Sequence, residues 1–330
     1  MAKQEPPPFT RHCGFAFLLF SGCLWIATTA CFLGTWDEVA AITVFPQWTW
    51  ALLGVLSAAL AMRLLRSVRL ILAITILWVL TTLAFADNLL PVIRSLQHGS
   101  APPIRVPGTL RIATLNCASS PAAAAEVMQF QPDIVLLQEI PPTNQLAQFA
   151  RDWFGDTGSF VLGFDCAILS RFLLKPIDER PATHHTRAIL VLPDDRELLV
   201  TSLRLTPPLG RMDLWNPAAW RNYTRDRQQR RRELRSVLDA QPTKPELPNI
   251  LGGDFNAPAG DAIYKILGQY RDAHRAVGRG WGNTALNNMP WFRPDQIWLK
   301  GLAPLSSRAV RTIHSDHRMV VTDALLQSQK

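Results

Sequence analysis

Residues 14–34 read GFAFLLFSGCLWIATTACFLG, an uncharged and mostly apolar run. About twenty such residues are what a helix needs to cross a hydrocarbon core of roughly 30 Å. Any fold for this chain must therefore accommodate a bilayer first. A second run covers 48–65, with Arg63 only at its end, where a long side chain can snorkel. A third covers 70–90, with Asp87 near its exit. The expectation is an N-terminal membrane anchor over 1–90 with three transmembrane helices, about 14–34, 48–65 and 70–90. A cleaved signal peptide fits poorly, because the apolar core is too long and runs straight into Thr35, Trp36, Asp37 and Glu38 rather than a small-residue cleavage site.

Basic residues set the expected orientation. Lys3 and Arg11 precede the first run, and Arg63, Arg66 and Arg69 fill the second loop, whereas the first loop holds Asp37 and Glu38 and neither Lys nor Arg. Both basic stretches then belong in the cytoplasm, and three crossings deliver the rest of the chain outside. In a bacterium that is a multi-pass protein of the inner membrane with its soluble part on the periplasmic or extracellular face. Trp36, Trp48 and Trp50 fall near the expected interfaces, where indole rings favour the headgroup level. Pro46, upstream of the second run, is the point at which a re-entrant loop would break this reading.

Residues 91–108, with Pro91, Pro102, Pro103 and Pro107, read as a semi-rigid linker, and 109–330 as one soluble domain. Five cysteines in no CxxC or Cys/His spacing exclude a disulfide scaffold and a structural zinc site. Cys117 and Cys166 alone belong to the soluble part, and they are read as two buried free thiols, with pairing open if that part lies outside the cytoplasm. Lys and Arg outnumber Asp and Glu by six to four before residue 101 and by 28 to 22 after it, a mild excess that suits an anionic partner and equally an arginine-rich composition from a GC-rich genome. Seven arginines between Arg221 and Arg235, on an expected helix, are read as a solvated face or as a patch for lipid headgroups or nucleic acid.

In the soluble part, TLRIATLN at 109–116 alternates as a strand should, and Ser119, Ser120 and Pro121 supply an N-cap and a first-turn proline for a helix to about Phe130. Further strands are expected at 133–139, 159–162, 166–170, 187–192, 197–205, 249–251, 296–299 and 319–321, and helices at 220–238 and 261–267. Several of these strands end in a group that can do chemistry: Asn116, Glu139, Asp254 with Asn256, Asp295, and Asp316 with His317. Cutting a phosphoester needs an oxygen-ligated cation to offset charge, a base to prepare water and donors for the non-bridging oxygens. Strand ends gathered along one sheet edge could supply all three. In ILGGDFNAP an apolar strand delivers Asp254, and Asn256, two residues on, falls on the same side if the alternation persists.

The set LN at 115–116, LLQE at 136–139, AILSR at 167–171, GGDFNAP at 252–258, DQIW at 295–298 and SDHR at 315–318 resembles the endonuclease/exonuclease/phosphatase superfamily, over about 111–325 and in that family's order. The resemblance implies an α+β four-layer sandwich of two mixed β-sheets flanked by helices, of the DNase I type, with the site on one open edge. It implies that Asn116 and Glu139 hold Mg2+ or Mn2+, with Asp316 close by. It implies further that Asp254 orients or deprotonates water, Asn256 binds phosphate, and Asp295 holds the ring of His317 against the scissile phosphate. Relatives commonly carry Asn-x-His-Leu where this chain reads Ser202-Leu203-Arg204-Leu205, so Arg204 stands at a histidine position. A guanidinium there can clamp a phosphate through two donors. His184 and His185 could substitute but read as ordinary loop residues, and Trp281, Trp291 and Trp298 could line the mouth of the site or pack in the core.

The function expected is a membrane-anchored, extracytoplasmic, metal-dependent phosphoesterase, acting on a phosphodiester. Its substrate is a lipid headgroup or a nucleic acid; the alternatives are a nuclease for external DNA or RNA, or a non-catalytic phospho-ligand binding protein. Nothing in the sequence calls for an obligate protein partner.

Overall fold

The computed structural model describes residues 7–65, 68–99, 105–177, 184–208, 210–239 and 247–327. Lys3, Arg66, Pro102 and Pro103, used above, lie outside the described residues. The chain divides into two compact units, one of 1–86 with 211–224 and 260–262, the other of 87–210, 225–259 and 263–330.

The first unit contains helices α1 (Pro8–Gly34), α2 (Ala40–Thr43), α3 (Gln47–Leu65) and α4 (Val68–Ala84). Its packing is inverted relative to a water-soluble bundle. The small residues Ala51, Gly54, Ser57, Ala58 and Ala61 form the buried face of α3, while Leu52, Leu53, Leu56 and Leu60 face outward. Small residues let helix backbones approach where no hydrophobic force drives them together. Two polar groups inside the bundle find partners within it: Ser21 Oγ donates to the Gly54 carbonyl at 2.7 Å, and the buried Trp78 Nε1 donates to Ser21 Oγ at 3.1 Å.

α1 and α3 are each long and apolar enough to cross a membrane. The expected third span, 70–90, is different: α4 ends at Ala84, and the next helix, α5 (Leu89–His98), is bent from it by 78°, so a third crossing exists only if this broken pair acts as one. Pro91 explains the break, since its ring would collide with the carbonyl of residue 87 in a continuous helix. The stretch after Asp87 is therefore helical as far as His98 rather than a tether. In the same unit the loop between α1 and α3 receives a distant piece of chain. Tyr223 is buried against Ala40 and Ala41, and Thr224 Oγ1 donates to the Asp37 carbonyl at 3.0 Å.

The second unit begins with α5 and continues through β1 (Thr109–Asn116), α6 (Pro121–Glu126), β2 (Ile134–Gln138), α7 (Thr143–Phe154), β3 (Ser159–Leu162), β4 (Cys166–Ser170), β5 (Leu173–Pro176), β6 (His185–Val191) and β7 (Glu197–Arg204). After α8 (Pro217–Asp239) come β8 (Asn249–Asp254), β9 (Arg271–Asp272), α9 (Ala273–Val277), β10 (Asp295–Lys300), β11 (Leu302–Val310) and β12 (Met319–Leu326). The strands form two six-stranded mixed sheets, ordered β11-β12-β1-β2-β4-β3 and β5-β6-β7-β8-β10-β9. Each has one parallel pair near its middle, β1 with β2 and β7 with β8.

The two-residue period of the strands builds the layers. Ile112, Ile134, Leu136 and Ile168 point inward to meet Val200, Ile250 and Ile297 of the other sheet. Ala113, Leu115, Val135, Leu137 and Leu169 point outward under α6 and α7, and Leu203 and Leu251 pack with Leu234 and Val237 of α8. The result is the expected sandwich of two sheets between helices. Ser120 caps α6 as expected, accepting from Ala123 N at 3.2 Å. Cys117 and Cys166 are both buried and free, and burial raises both thiols. Arg227 and Arg230 of the arginine-rich helix are buried, so α8 is neither a wholly solvated face nor a continuous basic patch. Trp298 stacks on Tyr264 at 5.3 Å, in the core, whereas Trp281 is 48% exposed.

Candidate active site

β8 carries Asp254 to the sheet edge through a backbone that only glycine allows. Gly253 has φ +140°, and a Cβ there would lie 2.0 Å from the Leu203 carbonyl oxygen of β7. The parallel β7–β8 register then sets Arg204 opposite Asp254, and the antiparallel β8–β10 register sets Asp295 opposite Asp254. In the other sheet β1 and β2 end side by side, so that Asn116 pairs with Gln138, next to Glu139. A polar tie crosses between the sheets below the site, Gln138 Nε2 donating to Ser202 Oγ at 3.0 Å and Ser202 Oγ to the Leu137 carbonyl at 3.0 Å.

These strand ends meet. Asn116 Nδ2 donates to Glu139 Oε1 at 2.9 Å and to Asp254 Oδ2 at 3.1 Å. Asn256, at φ +48°, turns back on Asp254, its backbone N–H donating to Oδ1 at 2.9 Å and its Nδ2 to Oδ2 at 3.2 Å and to the Leu205 carbonyl at 2.8 Å. Its amide thus fixes Asp254 rather than projecting a free donor. His317 Nδ1 lies 2.7 Å from Asp295 Oδ2, which also accepts from Thr284 Oγ1 at 2.5 Å. Ser315 Oγ donates to the Asn116 carbonyl at 2.7 Å and accepts from His317 N at 3.0 Å, tying the SDHR turn to the end of β1. Asp316 is exposed, with its carbonyl accepting from Asn287 N at 2.7 Å. It lines a cleft of about 930 Å³ with Leu286, Met289, Arg311 and Ile313.

Arg204 does not stand free. Nη2 donates to Glu139 Oε1 at 2.7 Å and Nη1 to Asp165 Oδ2 at 2.8 Å. Burial works against its charge, but the Glu139 and Asp165 carboxylates more than compensate and raise its pKa. Asp165 and Thr284 escape a sequence reading, since each belongs to an unremarkable local string and acts only through a partner far along the chain. His184 faces Glu233 at 3.4 Å instead of joining the site.

Charge in the site is divided unequally. Burial, reinforced by Asp295, pushes Asp254 up to about 6 in spite of His317. For His317 burial acts downward, but the bonded Asp295 carboxylate wins and pushes it up to about 10, an imidazolium at neutral pH. Among the described residues, Asp254, Asp295 and His317 form a group whose ligand atoms lie within 4.8 Å of one another. A protonated His317 donating to Asp295 is a poor ligand. The oxygen-rich set of Glu139, Asp254 and Asn116, whose amide lies between the two carboxylates, suits a hard divalent cation better.

A family model described as the Endonuclease/Exonuclease/phosphatase family matches residues 113–317. The chain belongs to that family. Solved structures agree on the fold of this family member. An endonuclease/exonuclease/phosphatase from Beutenbergia cavernae superposes with TM-score 0.51 at 16% identity, covering 67% of this chain and 72% of that one. One from Bacteroides vulgatus gives 0.51 at 16% identity over 66% and 99%. A humanized D. rerio TDP2 gives 0.50 at 19% identity over 66% and 99%. A search of the curated proteins finds no match. Family membership supports phosphoesterase or nuclease chemistry, and family members generally depend on a metal.

Proposed function

We propose that this family member is a membrane-anchored, extracytoplasmic phosphodiesterase. The observation that carries the catalytic part is the continuous network from Glu139 through Asn116 and Asp254 to the neighbouring Asp295–His317 pair, built from both sheets. Asn116 and Glu139, with Asp254 beside them and Asp316 nearby, are the residues that would hold Mg2+ or Mn2+. Such a cation supplies positive charge against the phosphate oxygens. Asp254, fixed by Asn256, orients an attacking water and takes its proton. His317, held and charged by Asp295, and Arg204, held by Asp165, offer donors to the charge that develops on the phosphoryl oxygens.

The cleft beside Asp316 supports an amphiphilic substrate. Its rim exposes Leu286, Met289 and Ile313 next to Arg311, a mixture suited to an anionic headgroup with apolar surroundings. Exposed Arg232 and Arg235 on α8 favour the second reading, a nucleic-acid backbone. The outward placement rests on the basic residues of the loops and on the packing of Tyr223 and Thr224 against the α1–α3 loop. That loop has acids and no Lys or Arg, and whichever side of the membrane it takes, residues 211–224 take too.

The test is turnover by the full chain in detergent, with Mn2+ or Mg2+ and with EDTA, on a lipid phosphodiester, on DNA and RNA, and on bis(4-nitrophenyl) phosphate. EDTA-sensitive hydrolysis is expected, strongest on the lipid, with Asp254→Ala at least a hundredfold slower, roughly the scale of a lost general base. No EDTA-sensitive turnover on any substrate, with Asp254→Ala indistinguishable from wild type, would leave a phospho-ligand binding protein.

A further inference from the structure

Asn88, in the break between α4 and α5, is buried and spends both ends of its carboxamide on one distant loop. Nδ2 donates to Asn283 Oδ1 at 2.9 Å, and Oδ1 accepts from Gly282 N at 2.9 Å. α5 reinforces the clasp. The Pro91 carbonyl accepts from Gly280 N at 3.0 Å, and Arg94 Nη1 donates to the Arg275 carbonyl at 3.1 Å and the Gly278 carbonyl at 3.4 Å. Gly282 is wedged in place: a Cβ on it would lie 2.2 Å from His274 Nε2 and 3.0 Å from Asn88 Oδ1.

The residues after that corner reach the catalytic groups directly. Thr284 Oγ1 donates to Asp295 Oδ2 at 2.5 Å, on the oxygen that holds His317, and the Thr284 carbonyl accepts from Arg318 N at 2.9 Å. Ala285 bridges to His317 itself. Asn287 N donates to the Asp316 carbonyl at 2.7 Å, and its Nδ2 donates to the carbonyls of Thr312 at 2.6 Å and Ser315 at 3.0 Å. Residues 282–287 thus form a strut with one end on Asn88 and the other on the SDHR turn.

We propose that Asn88 is a positioning residue for the Asp295–His317 pair, acting through Gly282, Asn283 and Thr284, so that the segment leaving the last apolar helix is a working part of the site. The inference rests on the catalytic reading of that pair given above. Replacing Asn88 by alanine leaves the buried Gly282 N–H without its acceptor and frees a loop whose neighbours Trp281, Leu286 and Met289 are exposed. Displacing catalytic groups by about an ångström is enough to cost on the order of a hundredfold in rate.

The test uses the full chain with two independent readouts. By amide hydrogen exchange, Asn88→Ala is expected to speed exchange at least tenfold both at 282–287 and at 315–318, while Leu96→Ala, on an exposed residue of α5, changes neither. On bis(4-nitrophenyl) phosphate with Mn2+, Asn88→Ala should lower kcat at least tenfold with KM within about twofold. Added to Thr284→Val, it should cost little more, because the two act along one path. Asn88→Asp, which keeps the size and the acceptor for Gly282, replaces Asn88→Ala should the latter not fold, and is expected to show the same pattern more weakly. Exchange changes confined to 88–98, or full additivity with Thr284→Val, would overturn the proposal. Wild-type turnover in His317→Ala would instead refute the catalytic reading, while the exchange at 315–318 still decides the role of Asn88.

Discussion

Arg204 is bonded by two carboxylates, Glu139, the proposed metal ligand, and Asp165, so Asp165 alone would hold it were Glu139 to turn to a cation. A guanidinium held from one side retains donors for a phosphate at any working pH. Arg204→Ala is expected to lower kcat/KM at least tenfold in steady-state kinetics; unchanged constants would remove Arg204 from the site. His274 makes a different kind of prediction. Its ring is buried, neither nitrogen makes a well-formed hydrogen bond, and burial, aided by the nearby Arg293 charge, depresses its pKa from 6.5 to about 3. The unfolded chain therefore binds a proton that the folded chain refuses. The resulting stability is intact above about pH 6.5 and is lost toward pH 3, with a slope of at most about 1.4 kcal/mol per pH unit. Urea midpoints across that range should fall less steeply for His274→Leu than for wild type. Residues of the first kind were legible in the sequence, because Asn116, Glu139, Asp254, Asp295 and His317 sit at strand ends inside distinctive strings. Asp165, Thr284 and Asn88 were not, since a lone Asp, Thr or Asn gains its role only from a partner that folding brings near.

At the scale of elements, the strands that carry chemistry were the readable ones, being apolar, β-branched and bounded by turns. β11 was hidden by Pro304 and its serines, and it proves to be an edge strand with a bulge between Pro304 and Ser306, where proline is tolerated. α7 was hidden for lack of a capping side chain, although Leu146, Ala150 and Phe154 recur at helical spacing on its buried face. β9 is too short for any pattern; it pairs with β10 through Trp298–Asp272 and Leu299–Arg271, and a buried ion pair reinforces it. Its Asp272 receives Arg293 Nη1 at 3.0 Å and Nη2 at 2.6 Å, both side chains buried. A buried pair contributes little over an apolar replacement, yet removing one partner strands the other. Arg293→Met is accordingly expected to destabilise the fold by about 3–5 kcal/mol, whereas Asp272→Leu combined with Arg293→Met should recover much of the loss in thermal melts.

At the scale of the whole molecule, the apolar N-terminal region was legible from length and composition, and its break at 85–88 was not, because the sequence shows one nearly continuous apolar run there. With Cys13, Cys23 and Cys31 replaced by serine, the proposed orientation is easy to test, since Cys117 and Cys166 are buried. In intact cells a membrane-impermeant maleimide should label a cysteine placed at exposed Asp156, and should label Arg63→Cys only after permeabilisation. The reverse pattern would put the site in the cytoplasm. The pairing of β1 with β12 has a consequence in time. Thr109 lies beside Leu325, so the sheet is completed only when its last strand has been made. At about 5–20 residues per second, synthesis of the chain between them occupies on the order of 10–40 s. Throughout that interval β1 presents an open edge that wants a partner, and Asn116 has no SDHR turn to meet. Until β12 pairs with β1, the proposed site lacks its SDHR turn, and whatever activity the chain has can begin only then.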